Sequence, residues 1–360
     1  MKKTKIIKKK LIVKNLVVLL LFSLMFQSFF SCGFAKSKQK YTNSYFGYFD
    51  TVSTVVGYFD NESEFLKVSE LVNMRLEEYH SLYDIYNSYP DIINLNDVNN
   101  LYGGVHKKFT VDEKIIDMLL YAKELYLLTG GEMNVAMGSV VSMWHECREA
   151  ARKNNFASLP DSKELAEAAL HTDINSLVID EEACSVYITD PKMTLDVGAV
   201  AKGYATEMIA KELESMGVGG VALNIGGNIR VIGSKPGNEP WFVGIENPFP
   251  DLPDAYCEYV EIYNGAIVTS GSYQRFFSID ERKYHHIIDK DTLYPSENFV
   301  LVSVWSRSSA LSDSLSTALF SMDKKSGKAL VEGLDGVEAM WVSSGGEKFY
   351  STGWNLLLKE

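Results

Sequence analysis

Asp313 and Thr317 stand four residues apart in the run Ser312-Asp-Ser-Leu-Ser-Thr317. A helix would set both on one face, one turn from each other. A carboxylate and a hydroxyl with open space beside them suit Mg²⁺, which takes few protein ligands and keeps waters and phosphate oxygens. The plainer use of Asp313 is as a charge in the first turn of a helix.

Three further segments could do chemistry. Leu195-Asp-Val-Gly-Ala-Val-Ala-Lys-Gly-Tyr-Ala205 sets one acid and one lysine among small residues. Read as a strand-to-helix junction, it exposes backbone N–H groups and the positive end of a helix dipole, which suits phosphate, and Lys202 adds a point charge. The same composition also makes a tight helix-packing site. Ala222-Leu-Asn-Ile-Gly-Gly-Asn-Ile229 is either a hairpin turn or a place where backbone approaches a ligand closely. Thr269-Ser-Gly-Ser-Tyr-Gln-Arg-Phe276 precedes Tyr284-His-His-Ile-Ile-Asp289. Adjacent histidines in a strand point to opposite faces, so at most one enters a given site. A histidine beside a Ser/Thr/Gly loop suits acid–base work.

The elements that must position these residues follow from periodicity and turn residues. Tyr45 to Phe59 reads as a strand pair or one long strand, and Ser63 to Tyr86 as an amphipathic helix. Asp112 is the expected N-cap of a second helix that stops at Thr129-Gly130-Gly131. Helices are expected at 138–155 and 161–170, with short strands between Leu177 and Leu195. A helix over Ala199 to Met216 precedes strands near 219–224, 229–233, 241–246, 257–263 and 299–305, then a helix near 309–322. Helices and strands mix without a βαβ rhythm and no linker divides them, so the class is α+β, a single large mixed domain.

The N-terminus reads as an address. Residues 1–31 carry seven lysines and no acid, with an apolar run from Leu16 to Phe30 that is short for a ~30 Å hydrocarbon core and suits a signal segment. Ser31-Cys32 resembles a bacterial lipobox, whose cysteine is lipidated; the other reading is an uncleaved anchor. The expected boundaries are a leader at 1–31, a tether at 32–44 and a body at 45–360. Both readings put the body outside the cytoplasm, on a bacterial inner membrane facing the periplasm. Removing the seven leader charges from the net charge of -12 leaves about -19, which disfavours nucleic acid as a partner. Four cysteines without CxxC spacing argue against a zinc or iron–sulfur site.

Taken in order, these segments resemble the ApbE family of FAD:protein FMN transferases over roughly residues 45–353. The matching motifs are Asp196-Val-Gly-Ala-Val-Ala-Lys-Gly-Tyr-Ala205, Asn224-Ile-Gly-Gly227, Thr269-Ser-Gly271 with Tyr273, His286-Ile-Ile-Asp289, and Asp313 with Thr317. The resemblance implies antiparallel-rich sheets with flanking helices. It implies Mg²⁺ held by the Ala199 carbonyl, Asp313 and Thr317, and FAD as the substrate. It places Phe49, Tyr86, Glu132, Met133, Asn134, Asp196, Lys202, His286 and Ile287 around FAD, with His286 and Asp313 catalytic. His286 would orient or deprotonate the incoming hydroxyl, with Asp289 as helper. The implied partner is an acceptor flavoprotein of the redox-driven ion-pump type with a target Ser or Thr, and the implied by-product is AMP. If water attacks instead, the same site is an FAD pyrophosphatase; a flavin-carrying lipoprotein without turnover is the third reading. The sequence departs from the family pattern at Phe49-Asp-Thr51, where Met-Gly-Thr is usual, at Asn134 and Ser139 for Asp and Pro, and at Asp289-Lys-Asp-Thr-Leu293, which lacks the usual Pro and Gly.

Overall fold

A computed structural model describes residues 38–100, 107–154 and 157–359. The leader and Cys32 therefore lie outside the described residues. The chain runs through β1 (Gln39–Phe46), a 3-10 turn at Tyr48–Asp50, β2 (Val52–Phe59), α1 (Glu62–Tyr83) and α2 (Leu95–Asn99). Next come β3 (Phe109–Thr110), α3 (Glu113–Leu128), α4 (Gly138–Asn154), α5 (Ser162–Ala169), β4 (Leu177–Asp180), β5 (Ser185–Ile188) and α6 (Ala201–Ser215). Strands β6 (Val221–Ile225), β7 (Asn228–Ile232), β8 (Trp241–Glu246), β9 (Tyr256–Ile262), β10 (Gly265–Gly271), β11 (Phe276–Ile279), β12 (Arg282–His285) and β13 (Leu301–Ser306) follow. The chain closes with α7 (Ser309–Ser321), α8 (Lys324–Glu332), β14 (Val337–Val342) and β15 (Lys348–Tyr350).

Eight strands form the main sheet in the order β1-β2-β6-β7-β10-β13-β14-β15, and every neighbouring pair is antiparallel. Alternation along the strands builds two cores. Val55 of β2 and Val221, Leu223 and Ile225 of β6 face a helical layer from α1, α3 and α6. Val56 and Ala222 point the other way, against the β8–β9 ribbon with Trp241, Val243 and Ile245. Each fully buried aliphatic side chain contributes about 1.5–3 kcal/mol, so these two layers dominate the stability. Residues Gln39–Glu360 form one unit, an α+β domain rich in antiparallel sheet with helices at its flanks. β1 starts inside the span 32–44 expected as tether, so the folded body takes in Gln39–Ser44.

Local chemistry explains the helix starts. Asp112 caps α3 by accepting from the Lys114 N–H at 2.9 Å, and Asp161 caps α5 in the same way. Helix α7 is rich in serine, a residue that competes for backbone hydrogen bonds. Here its buried hydroxyls are used: Ser314 donates to the Ala310 carbonyl, Ser316 to that of Asp313, and Ser312 pairs with Ser306. Their small size lets α7 pack closely on α6, β10 and β13.

A candidate phosphate and hydroxyl site

Two helices meet at a glycine. Gly203, in the first turn of α6, donates its N–H to Asp313 Oδ2 of α7 at 2.7 Å. A β-carbon there would lie 2.7 Å from the Ser309 carbonyl oxygen and 2.8 Å from Asp313 Oδ2, closer than atoms approach. Asp313 is 4 % exposed, and its Oδ1 faces Lys202 Nζ at 3.4 Å. Lys202 in turn donates to Asn228 Oδ1 at 2.9 Å, while the buried Asn228 Nδ2 has no partner. Thr317 lies one turn along α7, within 3.3 Å of Ser270 Oγ on β10. The expected strand before α6 is absent; Met193–Val197 is irregular chain. Ala199 lies in the turn that leads into α6 and is half-buried. The register of the two helices is fixed by Glu207, which accepts from the Ser309 N–H at 2.7 Å and from Arg230 Nε at 3.0 Å.

A second cluster holds the aromatic and titratable groups. Tyr86 stacks on His145 with centroids 5.1 Å apart. His145 Nδ1 lies 2.8 Å from Arg148, one turn along α4. Burial pushes the Tyr86 hydroxyl up to about 12, with the charge of Asp196 adding to it. Burial likewise raises Asp196, whose Oδ1 accepts from the Gly198 N–H at 2.9 Å. The two histidines have separate surroundings. His285 is buried against Phe320 and bonded to the Ser296 carbonyl. His286 is pushed down to about 3 by burial and by the positive charges of Arg275 and Arg148, and its Nδ1 is buried without a partner.

The remaining positions divide. Phe49 sits in a left-handed turn and donates its N–H to His80 Nδ1 at 3.3 Å. Glu132 pairs with Lys290 at 3.3 Å. Asn134 caps the following 3-10 turn and donates to the Thr172 carbonyl. Met133 and Ile287 are buried within apolar clusters, not on an open surface. Asp289 accepts from the Asp291 and Thr292 N–H groups, so it braces its own loop. Gly226 and Gly227, both at positive φ, turn the β6–β7 hairpin, and a β-carbon on Gly226 would strike Thr51. His145 and Arg148 were not singled out from sequence, and their spacing of three on one helix face was their only signal; Arg275 was named only as part of the Thr269–Phe276 segment.

The ApbE family model matches residues 49–341. The chain belongs to the ApbE family. Among its relatives is the FAD:protein FMN transferase of Klebsiella pneumoniae (strain 342), 28% identical over 270 residues, which cover 73% of this chain and 81% of that one. The Treponema pallidum (strain Nichols) protein of the same name is 30% identical over 247 residues, covering 63% and 66%. The ApbE protein of Thermotoga maritima superposes with a TM-score of 0.78 at 24% identity, covering 89% of this chain and 100% of that one. The flavin transferase ApbE of Vibrio cholerae gives 0.73 at 23% identity with the same coverage.

In this ApbE-family chain Asp50 and Leu293 adopt positive φ, at 53° and 63°. Such backbone is strained for residues with side chains, and at Leu293 it is held by Trp144 Nε1 donating to the Leu293 carbonyl at 2.9 Å. Two hollows of the ApbE-family body, about 380 Å³ beside His171 and about 970 Å³ beside His80, are lined by none of Asp196, Lys202, His286 or Asp313.

Proposed function

We propose that this chain is an FAD:protein FMN transferase that attaches FMN through a phosphoester to a Ser or Thr of an acceptor flavoprotein and releases AMP. The observation that carries the reading is the triple placement of Asp313 against the Gly203 N–H, beside Lys202, and one turn from Thr317.

The residues present fit a hard divalent cation. Asp313 Oδ1 keeps open acceptor capacity and Thr317 offers a hydroxyl; the Ala199 carbonyl, which the family resemblance implies, would complete an all-oxygen set with few protein ligands. Among the described residues no group of three His, Cys, Asp or Glu side chains offers an alternative. Mg²⁺, when bound there, would offset the charge of the FAD diphosphate.

The chain's own groups do the rest. Lys202, steadied by Asn228, binds the diphosphate near the start of α6. Arg148 and Arg275 add positive charge beside His286. The acceptor hydroxyl oxygen forms the new bond to the FMN phosphorus as the bond to the AMP phosphate oxygen breaks. His286 Nδ1, free of any protein donor, takes the hydroxyl proton and passes it to solvent. Its depressed affinity for a proton rises once an anionic substrate offsets the two guanidiniums.

The acceptor belongs to the redox-driven ion-pump type or related extracytoplasmic flavoproteins. The chain is held to the periplasmic face of the bacterial inner membrane through lipidated Cys32. The acceptor type follows from the resemblance to the ApbE family, and the anchor from Ser31-Cys32 after a basic and apolar leader. Incubation with FAD, Mg²⁺ and an acceptor domain, followed by weighing the acceptor, tests the reading. FMN mass on the acceptor supports it. Free FMN and AMP alone would make the chain a pyrophosphatase, and unchanged FAD would make it a carrier.

A further inference from the structure

We propose that His80, Tyr89 and Asp84 form a hydrogen-bonded relay that positions Phe49 and Tyr86, the two aromatic residues assigned to FAD. The proposal rests on the transferase reading, in which both aromatics meet FAD.

The relay has one consistent polarity. The Phe49 N–H donates to His80 Nδ1 at 3.3 Å, so that nitrogen carries no proton. His80 Nε2 is then the protonated nitrogen and donates to the Tyr89 oxygen at 3.2 Å. The Tyr89 hydroxyl donates to Asp84 Oδ2 at 2.9 Å. Asp84 Oδ1 accepts from the Tyr86 N–H at 2.7 Å and the Asn87 N–H at 3.1 Å, fixing the turn that presents Tyr86. Asn87 Nδ2 completes the carboxylate at 3.0 Å.

Both ends need such a hold. Phe49 and Asp50 are consecutive non-glycine residues at φ 51° and 53°, a conformation that persists only where neighbours enforce it. The rings of Tyr48, Phe49 and Tyr89 all meet His80 edge-on, at 6.1, 5.6 and 6.2 Å, and fix the imidazole plane. Tyr86 follows the end of α1 with its ring partly exposed; the Asp84 bond fixes its backbone, and the stack on His145 fixes its ring. Both ring nitrogens of His80 are taken up by Phe49 and Tyr89, so it acts through them as a positioning residue.

The test uses the full chain and two amides. His80→Asn offers an acceptor at the place of Nδ1, whereas His80→Gln offers one nearer the place of Nε2. Tyr89→Phe keeps the ring and removes only the middle hydroxyl. For each, the amide exchange of Phe49 and the KM for FAD and kcat of FMN transfer are measured. His80→Asn keeps the Phe49 link but loses the Tyr89 link, so it is expected to keep Phe49 protection and to match Tyr89→Phe in KM. His80→Gln is expected to lose the protection and raise KM about tenfold, the scale of one lost hydrogen bond, with kcat little changed. Tyr89→Phe falls between. Equal behaviour of Asn and Gln, or a fall in kcat at constant KM, overturns the relay. Unchanged KM in His80→Gln despite lost protection at Phe49 overturns its link to the flavin. A parent protein that transfers no FMN overturns the transferase reading instead, and Phe49 exchange then decides the relay alone.

Discussion

The Gly203 N–H lies 2.7 Å from Asp313 Oδ2, and the missing side chain of Gly203 is what allows α7 to come that close to α6. A backbone donor thereby holds one carboxylate oxygen, leaving Oδ1 toward Lys202 and the site.

Gly203→Ala should therefore be destructive. Its methyl would press on Asp313 and the Ser309 carbonyl inside a packed core, at a cost of about 3 kcal/mol. Thermal unfolding should drop by several degrees and transfer should be lost. Parent-like stability together with activity would contradict the close approach.

Asp313→Asn separates charge from packing. The amide oxygen can still accept from Gly203, so the fold should survive with a loss of about 1–2 kcal/mol. Transfer should fall by roughly a thousandfold, as expected when a preorganised electrostatic group is removed. AMP release at the parent rate would refute the metal assignment.

His286 has a pH signature. Its folded value lies below the ordinary imidazole value, mainly through burial and next through Arg275. Between about 3 and 6.5 the unfolded chain binds the extra proton, so this contribution is present at neutral pH and lost on acidification. His286→Gln should lose less stability than the parent between pH 7 and pH 4, by on the order of 1 kcal/mol. Parallel acid limbs in urea titrations would show that His286 is not held neutral by the fold.

Asp50→Gly should relieve backbone strain at φ 53° by about 1 kcal/mol. Denaturation midpoints report it. No gain would mean that the Asp50 side chain offsets its own conformation.

Cys32→Ser should move the protein from the membrane pellet to the soluble fraction. Retention in the pellet would favour the uncleaved anchor.

Helix α3 was legible because a cap, Asp112, meets an apolar stripe. The Asp313–Thr317 spacing on α7 was legible because any helix sets residues four apart on one face. Strand β10 was not, because Thr269-Ser-Gly271 looks like a loop until β7 and β13 pair with it on either side. Helix α8 and strand β14 also went unread, as did the β11–β12 hairpin that sets the histidines' directions. The arginines around His286 escaped because they converge from α4 and from the link after β10, 127 positions apart in numbering, and no local pattern encodes that meeting. Met133 and Ile287 show the converse: a motif match names positions without saying which way each side chain turns.

β1 closes one edge of the main sheet and meets only β2 among the described strands, with Gln39 opposite Phe59 at the open end and Phe46 opposite Val52 beside the turn. Tension arriving from ahead of Gln39 would load this ribbon like a zipper, opening one rung at a time rather than shearing all rungs together. The Phe49 turn sits at the closed end and would yield last. Under such tension the border would fray while the chemistry kept its shape.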